Sequence, residues 1–506
     1  MRVLPTLAAG ALSGLALGLV FPSVGWSWLA FIALVPLFWA VARGERAWPV
    51  FWSGYLAGIV FFAVSCSWIY ATIHHFGDLS GPLAGVVFVL FLLLMGSYLA
   101  LMALAAYWVG RWSGRRYWPL PFVWVAVELL RTYTPMGGFP WNLLGYSQYQ
   151  HAGTMLLAPA CGIYGVSLLV ATANTLIAYV LDKPRRRGAI AAGIALGCIF
   201  GFATLPYHAP SDGGRGLHVR LVQPDTPLDL DWSGSTMTHE LAAQARLSVN
   251  AATPPVDLIV WPEQPAPFDL DRQPELQQTV AEILDHEHSA MLIGEITWGA
   301  SNAPRNSAQL VNADGTLGPR YDKTHLVPFG EYVPLPDWLK ESAGVGKLVA
   351  QVGDFVPGPG PVVMPLGAHR FTTMICYESI FPALARRDVN AGAEWLVNQS
   401  DDSWYGQSSA AAQGLMMARV RAMENRRWLL RDTDDGITAV IDPFGRVTAQ
   451  LARFAPGALD AGFAAESAIT FYTRWGDWLA YLCLLAVLVL LLAGPAARAG
   501  SRMRRS

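Results

Sequence analysis

The sequence predicts a multi-span α-helical membrane domain joined to a separate α/β domain, and three features of its 506 residues carry that expectation. The composition is 53% hydrophobic and only 14% charged, with a mean hydropathy of +0.34, against about 25% charged residues in ordinary soluble domains. Long apolar runs crowd residues 1–206 and return at 475–506. The interval 207–474 has a different texture, in which short apolar stretches alternate with helical patterns, as in α/β domains. These boundaries give an N-terminal membrane domain of about seven spans, a middle domain, and a last span with a basic tail.

The apolar runs are Thr6 to Phe21, Trp28 to Ala42, Val50 to Tyr70, Pro82 to Val109, Pro119 to Leu130, Gly162 to Leu181, Ala189 to Leu205 and Trp478 to Leu492. Several reach the roughly 17 to 25 residues of a spanning helix; Pro119 to Leu130 counts only with its flanks, and about eight spans result. The first run lacks a small-residue cleavage site and further spans follow at once, so it reads as a span rather than a signal peptide. Arg43 and Arg46, then Arg111, Arg115 and Arg116, then Lys183 and Arg185 to Arg187, and finally Arg498, Arg502, Arg504 and Arg505 fall in alternate connections and the tail. By the positive-inside rule both termini are cytoplasmic and Tyr207 to Arg474 lies outside. A net charge of -2 and the lack of any basic-aromatic stripe exclude a nucleic-acid binder. Glu128 and Arg131, at i and i+3 near a span end, are placed to pair and order the Gly137 to Gln148 loop.

In the middle interval the strand candidates are Leu217 to Gln223, Asp257 to Glu263, Ala290 to Ile296, Ser307 to Gly315, Phe371 to Cys376, Glu394 to Gln399 and Thr438 to Gly445. Helical patterns cover Glu275 to Glu287 and Ala410 to Asn425. Asp314-Gly315 and Pro443-Phe444-Gly445 mark hairpin turns. Of the five cysteines, Cys66, Cys161, Cys198 and Cys483 lie in or beside apolar runs, which leaves Cys376 alone here. With Phe371 to Ile375 a strand and Ser379 to Arg387 a helix, Cys376 falls on the turn between them. Unpaired N–H groups and the helix dipole favour a thiolate there; the bland alternative is a small buried hydrophobe. Glu263, at the end of a strand, is placed to act as a partly desolvated base, and Lys323 follows the hairpin. Taken singly, they read as a solvated strand end and a surface lysine.

In order, Trp261-Pro262-Glu263, then Tyr321 to Pro334 (YDKTHLVPFGEYVP), then Met374 to Pro382 (MICYESIFP) resemble the Glu, Lys, Cys signature of the nitrilase or carbon-nitrogen hydrolase superfamily. With spans on both sides, the whole chain resembles the bacterial apolipoprotein N-acyltransferase family. Gly137 to Gln148, Gln413 to Arg427 and Asp434 to Gly445 add to the likeness. The resemblance implies a nitrilase-like αββα sandwich, with Cys376 as nucleophile, Glu263 as general base and Lys323 as the cation that stabilises the oxyanion beside the Tyr377 N–H. It implies a phospholipid acyl donor, a diacylglyceryl lipoprotein acceptor, a thioester intermediate with ping-pong kinetics, no cofactor, and a bacterial inner-membrane enzyme whose catalytic domain faces the periplasm. A monomer is expected.

The same resemblance implies supporting roles. Glu331 anchors the Lys323 loop, Tyr377 and Glu378 follow the nucleophile with Glu378 orienting Lys323, and Trp232 stands near the acceptor site. Leu335 to Phe355 reads as an apolar loop able to dip into the membrane or close over the acyl chain. The chain departs from the family at Asp401 and Asp402, where Asn-Asp is usual, at Asp432 to Asp435, and at Pro224, where glycine is common. His286 and His288 flank Glu287 on a polar helix end, and no metal is assigned. Competing readings are a membrane-tethered nitrilase-type amidase, a transporter with an inserted domain, and a catalytically dead binding module. Sparse charge within the spans opposes the transporter, and the intact chemical residues oppose the dead module.

Overall fold

The computed structural model describes residues 3–22, 24–75, 79–182, 184–206, 216–227, 233–249, 255–263, 268–298, 303–333 and 355–503. The chain divides into two compact units, Met1–His208 with Trp475–Ser506, and Ala209–Arg474.

In the first unit every apolar run of the sequence lies in helical structure. Among the described residues, Ala47–Ser65, Gly81–Ser113, Ala158–Leu181 and Arg186–Ala203 are long and apolar enough to cross a membrane, and Val3–Leu19, Ser27–Arg43 and Trp478–Gly494 are shorter apolar helices. Small residues let these helices approach closely, as packing without a hydrophobic driving force requires. A Cβ on Gly14 would lie 2.3 Å from the Ala57 carbonyl oxygen, and one on Gly54 would lie 2.4 Å from that of Leu99. The helical stretch Ser27–Arg43 breaks at Leu34, and the buried Asn174 side chain takes up the freed groups: its Oδ1 accepts from Leu34 N at 2.8 Å and its Nδ2 donates to Ala30 O at 2.8 Å. Such repair is what a break away from water demands.

Glu128 and Arg131 do not pair with each other, contrary to the expectation from their spacing. The Glu128 Oε1 accepts from Leu144 N at 2.6 Å, and Arg131 Nη1 donates to the Phe139 and Trp141 carbonyls at 2.8 and 2.7 Å. The loop's own backbone groups outcompete the pair, and both side chains are spent on ordering it.

The second unit is the expected αββα sandwich. Its described residues form two six-stranded sheets, one ordered β12-β1-β2-β3-β4-β5 and the other β11-β10-β9-β8-β7-β6. The first sheet contains β1 (Leu217–Gln223), β2 (Leu258–Val260), β3 (Ala290–Trp298), β4 (Pro304–Val311), β5 (Leu317–Asp322) and β12 (Gly457–Phe463). The second contains β6 (Met364–Leu366), β7 (His369–Ile375), β8 (Trp395–Ser400), β9 (Leu429–Thr433), β10 (Ala439–Ile441) and β11 (Val447–Gln450). The strands β1, β2 and β3 run parallel, as do β7, β8 and β9, and the outer pairings are antiparallel.

Strand alternation builds the layers. Leu292, Trp395 and Val397 belong to the core between the sheets, with Val219, Phe371 and Leu430. Their neighbours Met291 and Ile293 pack outward against the helices Gly234–Ser248 and Pro274–Glu287. On the other side Leu396 packs against Pro382–Asn390 and Ala410–Asn425. Burial on both faces explains why these strands read as unbroken apolar runs.

β5, β6, β9, β11 and β12 were not among the sequence's strand candidates. They are short or carry polar residues, such as Arg431 and Asp432 in β9, and sheet partners rather than local pattern hold them. The helix expected from Ser379 begins at Pro382 instead. Cys376–Ile380 forms a single 3-10 turn, closed where the Glu378 Oε2 accepts from Ile375 N at 2.8 Å. Proline at the first helical position, lacking the N–H that would go unpaired there, sets the later start.

Candidate active site

Three chain segments far apart in sequence meet where strands end. Directly after β2, Trp261 O accepts from the Gln399 side chain of β8 at 2.7 Å, which ties the two sheets together, and Glu263 lies two residues further on. Lys323 directly follows β5, where its N–H donates to Asn306 O at 2.8 Å. Cys376 directly follows β7 with a φ of +52°, a left-handed conformation that costs energy for a residue bearing a Cβ. Strain of this kind turns the side chain out of the strand line.

The lysine is the centre of the pocket. Its Nζ donates to the Glu331 Oε1 at 2.8 Å and to the Glu263 Oε1 at 3.2 Å, and its side chain is 1% exposed. Burial alone would lower its pKa, but the Glu263 and Glu331 carboxylates outweigh that and raise it well above the usual lysine value. It is a fixed cation. Asn306 Nδ2 bridges the same two carboxylates, 2.7 Å from Glu263 Oε1 and 3.0 Å from Glu331 Oε1. The Glu331 Oε2 accepts from Val327 N at 2.8 Å, so Glu331 holds the lysine and its following loop together. The Glu263 Oε2 accepts from Asp401 N at 2.9 Å.

Cys376 keeps some exposed area, yet its sulfur is desolvated. Burial, then the charge and hydrogen bond of Glu263, hold the thiol well above its ordinary pKa, with Lys323 pulling the other way. The turn was expected to favour a thiolate. Burial and the Glu263 carboxylate instead push the thiol's pKa up, against that expectation, and the following helix starts only at Pro382.

Glu378 does not orient Lys323 directly, contrary to the sequence expectation. Fully buried, it accepts from Thr324 N at 2.8 Å, Thr324 Oγ1 at 2.9 Å, His325 N at 2.9 Å and the Tyr321 hydroxyl at 2.7 and 2.8 Å. It clamps the residues on either side of the lysine to the turn that carries Cys376. Tyr377 packs in an aromatic group, its ring 5.0 Å from that of Phe381, which lies 4.0 Å from His325. Trp232 and nearly all of Leu335 to Phe355 lie outside the described residues. Sequence reasoning assigned no role to Asn306, which sits in β4 without a local signal, or to Tyr321 and Thr324, which lie inside the Tyr321 to Pro334 motif. Asp401 was visible only as a departure from the family pattern.

The sheets and the pocket define a carbon-nitrogen hydrolase domain, and residues 219–470 match the Carbon-nitrogen hydrolase family model. Residues 13–176 match the model of the Apolipoprotein N-acyltransferase N-terminal domain. An Apolipoprotein N-acyltransferase of Geobacter metallireducens is 35% identical over 494 residues, covering 94% of this chain and 93% of that one. Its namesake in Azotobacter vinelandii is 34% identical over 96% of this chain and 93% of the relative. The chain belongs to the apolipoprotein N-acyltransferase family. Among solved structures, Saccharomyces cerevisiae Nit3, a member of branch 10 of the nitrilase superfamily, aligns with a TM-score of 0.37 and 20% identity over 48% of this chain and 89% of that one.

Proposed function

We propose that this chain moves the sn-1 acyl chain of a phospholipid, through a thioester on Cys376, to the N-terminal amine of a diacylglyceryl-cysteine lipoprotein. The observation that carries the reading is the meeting of Glu263 and Lys323, 3.2 Å apart, with the Cys376 thiol in one desolvated pocket. In the first half-reaction Glu263 takes the thiol proton as sulfur attacks the ester carbonyl. The Lys323 ammonium and the Tyr377 N–H hold the negative charge of the tetrahedral intermediate, each such donor contributing about 3 kcal/mol in comparable sites. Collapse breaks the ester C–O bond, and the leaving lysophospholipid oxygen takes the proton from Glu263. In the second half-reaction Glu263 accepts a proton from the attacking amine, the C–S bond breaks, and the proton returns to sulfur. Ester, thioester and amide are successive acceptors, so no ATP is needed, and the kinetics are ping-pong.

On this reading residues 207–474 are the catalytic domain on the periplasmic side of a bacterial inner membrane. About eight spans anchor it, both termini are cytoplasmic, and the enzyme acts as a monomer. The distribution of arginines supports that orientation. The test is mass spectrometry of the purified enzyme after exposure to phospholipid. A hydroxylamine-sensitive acyl group is expected on the Cys376 peptide and is lost in Cys376→Ala; an undiminished adduct in that variant rejects the reading. Release of the acyl group by water as fast as by a lipid-modified amine would make the enzyme a hydrolase instead.

A further inference from the structure

Behind Glu263 lies a group of buried carboxyls with few cations. Asp401 and Asp402 follow β8, and Asp432, Asp434 and Asp435 lie in and after β9. Asp434 N donates to Ser400 O at 3.1 Å, which brings the two segments side by side. Arg431 is committed to Asp402, with bonds of 2.9 and 2.8 Å to its two oxygens, and it also binds Asn398. Asp401 takes part in no ion pair among the described residues; its Oδ1 accepts only from Ser403, at the backbone N (3.0 Å) and the hydroxyl. One oxygen each of Asp434 and Asp435 is buried without a hydrogen-bond partner among the described residues. Unpaired buried carboxylates are costly, and the inexpensive resolution is to keep the proton.

We propose that Asp401 is a positioning residue for Glu263 that works as a neutral carboxylic acid, and that its ionisation weakens the site. The geometry gives the reason. The Asp401 peptide N–H is the donor that holds the Glu263 Oε2, at 2.9 Å. A negative charge on the side chain of that same residue would stand behind the base, opposing both the thiolate and the oxyanion that form in front of it. The charged groups that act on Asp401 are Glu263 after β2 and Asp434 and Asp435 after β9; one step further out lie Lys323, bound to Glu263, the Asp402–Arg431 pair, Asp432 beside Asp434, and Asp225 and Arg453 beside Asp435. Burial first, and then the charges of Glu263 and Asp435, raise the Asp401 carboxyl well above the usual carboxylate range, while the Ser403 hydrogen bonds oppose the shift. Burial likewise pushes Asp435 up to about 7.

The inference rests on the acyl-thioester reading above, so the experiment scores both. The rate of adduct formation on Cys376 from phospholipid vesicles is measured between pH 6 and pH 9 for the full-length enzyme, Asp401→Asn and Ser403→Ala. The wild-type rate is expected to fall about ten-fold across the alkaline part of that range. Asp401→Asn, which copies the neutral acid, loses the alkaline fall, so that its rates at the two ends of the range agree within about two-fold. Ser403→Ala removes a bond that favours the ionised form and moves the fall to higher pH. A profile for Asp401→Asn that superimposes on wild type overturns the proposal. Absence of any wild-type adduct at any pH rejects the thioester reading instead. A merely structural role for Asp401 would lower the rate of the Asn variant equally at every pH, and that outcome also overturns the proposal.

Discussion

Glu378→Gln tests how the Cys376 turn and the Lys323 loop are joined. In the folded protein the Glu378 Oε1 accepts from Tyr321 Oη, Thr324 N, Thr324 Oγ1 and His325 N, and the Oε2 accepts from Tyr321 Oη and Ile375 N. Glutamine can keep its single carbonyl oxygen on the crowded Oε1 side. Its NH2 then faces the Ile375 N–H, and a buried backbone donor is left unsatisfied, at about 1–3 kcal/mol. The tyrosine hydroxyl can reverse and accept from the amide. The remaining donors lose the extra strength of a charged acceptor, about 1 kcal/mol each. Together these amount to a loss of about 4–6 kcal/mol from the second unit, and it falls on the segments that carry Cys376 and Lys323. Differential scanning calorimetry and adduct kinetics on one preparation should show a lowered unfolding temperature together with a rate reduced at least about ten-fold. An unfolding temperature and an adduct rate both equal to wild type would refute the reasoning, because the six bonds could then contribute nothing.

Glu331→Gln keeps the size of the side chain but removes one of the two carboxylates that hold the lysine, so adduct formation should slow by about 100-fold with little change in half-saturating phospholipid. Stopped-flow quench measurements separate the two parameters. Arg431→Met strands the buried Asp402 carboxylate and should lower stability by about 3–5 kcal/mol. Adding Asp402→Asn should recover most of that loss in denaturant unfolding, whereas additive losses would show that the pair is not the cause. Glu295 is buried beside Leu270 N, and burial raises its pKa from 4.5 to about 7. The folded state therefore holds this proton more tightly than the unfolded state does, and stability falls as pH rises from 4.5 through 7. At 1.36 kcal/mol per pH unit the penalty is about 3 kcal/mol. Glu295→Gln should unfold at a higher temperature than wild type at pH 8, and the gap should close near pH 4; a gap independent of pH would contradict this.

The sequence by itself determined the features that depend on local pattern and composition. Eight apolar runs became helices because a chain poor in water-soluble groups has few other ways to satisfy its backbone. Buried parallel strands such as Leu258–Val260 announced themselves as continuous apolar runs, and the helix Ala410–Asn425 appeared with the bounds its pattern gave. Glu263, Lys323 and Cys376 could be picked out because their surroundings carry a recognisable order. Only the tertiary structure decided what each of them touches. Asn306 bridges two carboxylates, Glu378 clamps the lysine loop rather than the lysine, and Arg131 reaches carbonyls instead of Glu128. Such choices are made between partners 8 to 54 residues apart, where the packing of whole elements decides whether a donor and an acceptor meet. The Cys376 thiol followed the same logic: the turn's local geometry pointed towards a thiolate, whereas desolvation and the carboxylate brought by distant segments push its pKa up.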